Sequence, residues 1–507
     1  MIQAIAARRA DRARTWLAPL ALGGAASLGQ VPFGLWPLTL LALAGILHLG
    51  LTAPTTRAAL IRGWMAGFGY LLVGLHWLVE PFMVDAARDG WMAPFALVLL
   101  SGSLALYWGV AFLAARFGVF ALAAAVTAAE YARGLLFTGF PWGLPGHVWI
   151  DTPVAQLARL AGPHGLTLLT LFLAALPLAL PRHLPRYAPP LVAALAVAAV
   201  YGASALWSSA TPAPRAGADA PLVRIVQPNA PQDEKWQPGK ADLFFRRALD
   251  LTAEDAARPD LVVWPETSVP YFYEYAPEAL EQVADAAGGA PAVVGIQRYE
   301  NPRYFNSMIL VGPDGAAQSI YDKAHLVPWG EYVPFADLLG RFGIHGLAAQ
   351  DGGGYTPGEA GDQIVIPGIG NALPLICYEG IFAAEINAAD PRPRLLLLIT
   401  NDAWFGEFAG PQQHFAQARL RAIEQGLPMV RAANTGISGL IDARGGVLET
   451  IPLGVAEARD VALPPAAAPT LYTIVGDWLA LGVIAATLLL GLLRRRRWRL
   501  DPADAAA

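Results

Sequence analysis

In the N-terminal part of the chain, hydrophobic positions fall in unbroken runs rather than in the alternation of elements that sit half in water. A helix needs about 20 mostly apolar residues to cross the hydrocarbon core of a bilayer. Runs of that kind occupy approximately 15–31, 33–52, 60–81, 92–114, 118–136, 163–181 and 189–208, and one more covers 472–493. The runs continue past the first, which argues against a cleaved signal peptide. The pattern predicts a multi-span α-helical membrane bundle of about eight helices: a membrane domain over 1–210 with seven, and a closing segment over 471–507 with the last helix and a basic tail. Glu130 and Arg133 interrupt the fifth run near its end.

Between these parts, over 211–470, the pattern changes to short β-branched runs separated by amphipathic stretches. Strands are predicted at Leu222–Val226, Leu261–Trp264, Ala292–Ile296, Ser307–Val311, Leu373–Cys377 and Leu395–Thr400, and helices at Ala241–Ala256, Glu278–Ala287 and Pro411–Gln425. Such alternation indicates a layered α/β fold. Several strand candidates are apolar on both faces, as in a sheet covered on both sides. No GxGxxG, Walker, HExxH or GxSxG pattern and no internal repeat is present.

Composition agrees with the division. The chain is 55% hydrophobic and 15% charged, against about 25% charged in ordinary soluble proteins. A net charge of -5 gives no reason to expect nucleic-acid binding. The lone cysteine, Cys377, excludes an internal disulfide and any zinc site built on several thiolates. Lys and Arg mark the sides of the membrane, because positive residues near short loops stay cytoplasmic. Arg8, Arg9, Arg12 and Arg14 precede the first run, and Arg494, Arg495, Arg496, Arg497 and Arg499 follow the last. Arg57, Arg62, Arg116, Arg182 and Arg186 fall on the same side. Both termini are therefore expected in the cytoplasm, with the middle domain on the outer face, the periplasm in a Gram-negative cell. The loop 137–162, with its GFPWG sequence, falls on that outer face and has the composition of an interfacial loop.

Three segments end strand candidates with a polar residue: LVVWPET through Glu266, YDKAHLVPWGE from Lys323 to Glu331, and LICYEG with Cys377 and Glu379. Sites in α/β folds assemble where strands end. A thiol with a reference pKa near 8.5 needs help to react at neutral pH. A carboxylate can take its proton, and an ammonium can favour the thiolate and the oxyanion that follows. Each residue also has an ordinary alternative. Cys377 could be a small buried hydrophobe, Glu266 a salt-bridged carboxylate and Lys323 a solvated amine, with Glu331 and Glu379 as structural partners. His325 and His345 raise a metal site or a cysteine–histidine dyad, but neither has a ligand-spaced partner.

In that order, WPET, YDKAHLVPWGEYVP and ICYEG resemble the glutamate–lysine–cysteine triad of the nitrilase (carbon–nitrogen hydrolase) superfamily. Eight spans with this domain before the last resemble its membrane branch, the bacterial apolipoprotein N-acyltransferases. The resemblance covers nearly the whole chain and takes in GFPWG, Gln227-Pro-Asn with Lys235-Trp236, the segments around Asn306 and Trp404, and Arg431–Ser438. Trp329 stands in VPWGE where phenylalanine is also expected. The resemblance implies a nitrilase-like αββα sandwich, with Glu266 as general base, Lys323 as oxyanion and thiolate stabiliser, and Cys377 as nucleophile. Glu331 would orient the lysine, Glu379 and Tyr378 would flank the nucleophile, and Trp236, Asn306 and Trp404 would shape a lipid-facing pocket. It further implies acyl transfer from a membrane phospholipid, through a Cys377 thioester, to the α-amino group of a diacylglyceryl-cysteine on an apolipoprotein. That chemistry calls for no metal or organic cofactor. A monomer is expected in the bacterial inner membrane. Phe335–Leu347 and the Trp404–Phe408 loop are candidate lids. The alternatives are a membrane-anchored amidase of small amides and a transporter. Seven spans exceed what an anchor needs, and transporters place more ionisable residues inside their spans than are found here.

Overall fold

A computed structural model describes residues 13–181, 183–254, 258–334 and 354–500. It divides into two units, Met1–Thr211 with Thr470–Ala507, and Pro212–Pro469.

Strand periodicity dictates the layers of the Pro212–Pro469 unit. Successive side chains of a strand point to opposite faces. Leu261 and Val263 are buried in one hydrophobic core while Val262 and Trp264 are buried in another. Leu395, Leu397 and Ile399 likewise join the first core, and Leu396 and Leu398 a third. The first core lies between two sheets and each of the others lies between a sheet and its helices, which is an αββα sandwich. One sheet has the order β12-β1-β2-β3-β4-β5, from β1 (Leu222–Gln227), β2 (Leu261–Val263), β3 (Ala292–Glu300), β4 (Arg303–Val311), β5 (Ala317–Asp322) and β12 (Glu457–Ala462). The other has the order β11-β10-β9-β8-β7-β6, from β6 (Ile364–Ile366), β7 (Gly370–Ile376), β8 (Leu395–Thr400), β9 (Met429–Ala433), β10 (Ser438–Ile441) and β11 (Val447–Ile451). Within each sheet three neighbouring strands run parallel: β1, β2 and β3 in one, β7, β8 and β9 in the other. Helices Lys240–Ala253 and Pro277–Ala286 cover the first sheet, and Ala383–Asn387 and Gly410–Gln425 cover the second. All six strands read from the sequence are present, Leu395–Thr400 with the expected ends and the others with shifted ones. Arg303–Val311 starts four residues before the expected Ser307 because β3 and β4 continue as a hairpin paired to Glu300 and Arg303.

In the other unit, each of the eight apolar runs contains helix. Three helices, Ala86–Phe117, Pro153–Ala179 and Ala188–Ala210, are long and apolar enough to cross a membrane by themselves, and a bent pair would make four. The remaining runs are shorter or broken. The run at 60–81 divides into Thr56–Gly74 and His76–Met83, bent by 49°. Helices Ala18–Ser27 and Thr56–Gly74 cross closely. A Cβ on Gly23 would stand 2.0 Å from the Ala66 carbonyl oxygen, and one on Gly69 would stand 2.1 Å from that of Leu20. Small residues at crossings let membrane helices pack backbone to backbone. Trp142 of the GFPWG loop, and Leu144 and Trp149 after it, are buried against the rest of this unit. The loop backbone can be buried because side chains take its carbonyls. Arg133 donates to the Phe140 oxygen, and Gln30 Nε2 donates to that of Leu144 at 3.0 Å.

Candidate active site

Glu266 follows β2 through Trp264 and Pro265, at the carboxyl end of a parallel strand. The chain turns sharply there: Thr267 has φ +46°, a left-handed conformation costing a non-glycine residue about 1–2 kcal/mol. The turn lies against β3, where a Cβ on Gly295 would come within 2.5 Å of the Pro265 oxygen and the Thr267 nitrogen. Only glycine leaves room for it. The carboxylate is 7% exposed and fully engaged. Oε1 accepts from Asn306 Nδ2 at 2.7 Å, and Oε2 accepts from the Asn401 backbone N–H at 2.8 Å.

Lys323 follows β5 and is 1% exposed. Its ammonium lies 2.9 Å from both oxygens of Glu331 and 3.7 Å from Glu266 Oε1. Burial alone would lower this lysine's pKa, but Glu331 and then Glu266 outweigh it and hold the amine protonated. Asn306, from β4, donates to both carboxylates, at 2.7 Å to Glu266 and 3.0 Å to Glu331. It is 3% exposed. Asn306, which the resemblance placed among the pocket-shaping residues, bridges two carboxylates beneath the surface. Glu331 also caps the loop that carries it, accepting from the Val327 N–H at 2.8 Å.

Cys377 begins the turn Cys377–Ile381 immediately after β7 and has φ +52°. Such strain at a strand end aims a side chain out of the sheet and persists only where surroundings enforce it. Glu379 supplies part of that enforcement. It accepts from the Ile376 N–H at 2.7 Å, the Tyr321 hydroxyl at 2.7 Å, and the N–H groups of Ala324 and His325 at 2.8 and 3.1 Å. One carboxylate thus fastens the Cys377 turn to the segment carrying Lys323. Burial pushes the Glu379 carboxyl upward, against the Tyr321 and backbone donors. Burial, then the charge of Glu266, pushes the Cys377 thiol well above its ordinary value, while Lys323 and a hydrogen bond with Thr400 pull it down. The thiol rests protonated at neutral pH, with a carboxylate and an ammonium both acting on it.

The structure thus brings together Glu266, Lys323, Cys377, Glu331 and Glu379. Tyr378 is buried and packs its ring near His325 and Phe382. His325 Nδ1 pairs with Glu385 at 2.8 Å. Among the described residues no group of three or more His, Cys, Asp or Glu could hold a metal. Trp236 is 46% exposed and lines a cleft with Phe244, Lys235, Glu266 and Thr267. Trp404 lies half-buried in the turn Asp402–Phe405, and Phe408 beyond it is exposed. Phe335–Leu347 and His345 lie outside the described residues. Functional positions without a sequence-based role are Asn401, Gly295 and Lys235. Lys235 Nζ donates to Thr267 Oγ1 at 2.8 Å, and burial lowers its pKa to about 8. The Lys235-Trp236 and Thr400–Trp404 segments carried the only signal for two of them.

Residues 22–176 match the family model of the apolipoprotein N-acyltransferase N-terminal domain, and residues 222–458 match that of carbon–nitrogen hydrolase. An apolipoprotein N-acyltransferase of Rhodopseudomonas palustris is 37% identical, covering 94% of both chains. One from Caulobacter vibrioides is also 37% identical, over 95% of this chain and 96% of the relative. Among solved structures, a CN-hydrolase superfamily protein of Xanthomonas campestris aligns with TM-score 0.35 at 21% identity, over 52% of this chain and 97% of its own. An amidase from Nesterenkonia aligns with TM-score 0.34 at 18% identity, over 49% and 92%. Full-length identity at this level shows that the chain belongs to the apolipoprotein N-acyltransferase family, with a carbon–nitrogen hydrolase domain as its Pro212–Pro469 unit.

Proposed function

We propose that the protein transfers an acyl chain from a membrane phospholipid to the α-amino group of the diacylglyceryl-cysteine of an apolipoprotein, with Cys377 as nucleophile. The observation that carries the mechanism is the single ammonium of Lys323 set between Glu266 and Glu331, beside a buried thiol. In the first step Cys377 Sγ attacks the acyl ester carbonyl as Glu266 takes the thiol proton. Lys323 stabilises the oxyanion. Collapse breaks the ester C–O bond, Glu266 returns the proton to the departing oxygen, and lysophospholipid leaves. In the second step the amine attacks the thioester, Glu266 receives its proton, and the thiol is restored as the amide forms. Dividing one transfer in two is covalent catalysis and gives ping-pong kinetics. Glu331 and Asn306 keep lysine and base in register, and Glu379 and Tyr378 hold the turn of the nucleophile. Trp236 and Trp404 contribute the apolar surface for the acyl chain.

The same proposal takes the eight apolar runs as eight spans of the bacterial inner membrane, with both termini cytoplasmic and the catalytic unit periplasmic. The arginine distribution and the helices found in every run support it. The protein would act as a monomer. The test is N-acylation of a synthetic diacylglyceryl lipopeptide in phospholipid vesicles. Amide-linked addition of a third chain, lost in Cys377→Ala, is expected. Hydrolysis of small amides without lipopeptide acylation would instead make the protein an amidase.

A further inference from the structure

Behind Cys377 lies a second charged cluster, with no part in the proton transfers above. Asp402 and Arg431 are 0% exposed and His414 is 1% exposed. Arg431 Nη2 donates to Asp402 Oδ2 at 2.7 Å. His414 Nδ1 lies 2.9 Å from Asp402 Oδ1 and 3.1 Å from Arg431 Nη2. The seat is built for the aspartate: a Cβ on Gly436 would stand 2.3 Å from its Oδ2. A carboxylate only accepts, so Nδ1–H donates to Asp402 and leaves no lone pair there for Arg431, which holds the aspartate and not the ring; the other nitrogen, Nε2, lies 3.3 Å from the carbonyl oxygen of Cys377. A carbonyl oxygen only accepts, so this contact is attractive only when Nε2 carries the proton.

The same cluster reaches the cysteine by a second route. Thr400, at the end of the neighbouring strand β8 and acting on the Cys377 thiol, donates its hydroxyl hydrogen to Asp402 Oδ1 at 2.9 Å. Cys377 is therefore contacted at its carbonyl by His414 and flanked by Thr400, both fastened to Asp402. This is the residue whose φ of +52° needs external enforcement. We propose that His414 is a positioning residue for Cys377: protonated at both nitrogens and anchored through Nδ1–H by Asp402, which Arg431 holds in place, it donates from Nε2 to the Cys377 carbonyl and so fixes the turn that aims the thiol at its substrate.

The proposal rests on Cys377 being the nucleophile, but its test does not need the acyl donor to be known. Full-length protein in detergent would be alkylated with iodoacetamide, and the rate at Cys377 followed by mass spectrometry for wild type, His414→Phe and His414→Gln. Phenylalanine keeps the ring without a donor; glutamine can return an N–H near the Nε2 position. Alkylation should slow about tenfold in His414→Phe, the worth of one strong hydrogen bond, and recover to within about threefold of wild type in His414→Gln. Equal rates in wild type and His414→Phe, or equal impairment in both variants, would overturn the proposal, the latter reducing His414 to packing. Should His414→Phe fail to fold, nitrogen-15 spectra of histidine-labelled wild-type protein decide. The His414 signal, identified by its loss in His414→Gln, must show a protonated Nε2; a bare Nε2 overturns the proposal. Failure of phospholipid to acylate the wild type, with the alkylation pattern intact, would count against the acyl donor and not against His414.

Discussion

Each unit buries a charge cluster, and the two are built differently. In the membrane unit, Glu130 meets one cation, Arg133, and Trp108 Nε1 donates to its second oxygen. Arg133 in turn donates to the Phe140 carbonyl. One anion faces one cation, and the pair ends on a loop backbone. In the catalytic unit one cation, Lys323, stands between two carboxylates, with a titratable thiol beside them. The first cluster is a balanced strut. Lys235 adds a second buried amine near Glu266, so the difference is not one of net charge but of the thiol set beside a carboxylate and an ammonium. Burial and ion pairing alone do not mark an active site; a titratable nucleophile among the charges does.

Several substitutions would break or sharpen that contrast. The largest effect is expected of Glu266→Gln, which preserves shape but removes the proton acceptor. Acylation of Cys377 should fall by about 10²–10⁴, measured as adduct formation in single-turnover experiments. Lys323→Met removes the oxyanion donor and leaves two buried carboxylates facing each other. It should lose about 10²–10³ in rate and also unfold at lower temperature in a thermal melt. Glu130→Gln is the converse. It strands the buried Arg133 and should lower stability by about 3–5 kcal/mol, while the folded fraction still forms the adduct at the wild-type rate. If folded Glu130→Gln forms no adduct, the distinction between strut and site fails. Gly295→Ala crowds the Glu266 turn and should slow acylation by about tenfold with little change in the reactivity of the thiol to alkylation.

The smallest effect concerns Lys235, whose folded pKa of about 8 lies below the ordinary lysine value. Between pH 8 and the ordinary range the unfolded chain binds a proton that the folded chain does not. Stability should therefore rise with pH across that window, because a penalty fully present below pH 8 is relieved. Lys235→Met should flatten this rise in pH-dependent melts; an unchanged slope would show that the lysine is not titrating there.

Much of this was legible in the sequence, for identifiable reasons. The strands β2, β7 and β8 are covered on both faces, so their apolar runs announce them, and the polar residues at their ends stand out. Of the six strands that went unread, β5, β6, β11 and β12 lie at sheet edges and are partly exposed, while β9 (MVRAA) and β10 (SGLI) are buried inside a sheet but are short and interrupted by Arg431 and Gly439. Glu266, Lys323 and Cys377 could be singled out from their segments, but the bridging of Asn306 could not. It depends on the fold bringing Asn306 to carboxylates 40 and 25 residues away in sequence. His414 and Asp402 were hidden for the same reason, since a lone histidine on a helix shows no partner until the fold supplies one. The burial of Trp142 in GFPWG could not be read, because aromatics, proline and glycine fit both an interface and an interior.

The central claim is that Cys377 carries the acyl chain, and intact-mass analysis after incubation with phospholipid vesicles tests it most directly. A hydroxylamine-labile acyl adduct on the wild type, absent from Cys377→Ala, is the predicted result. No adduct on folded wild-type protein across several phospholipids would contradict the thioester mechanism.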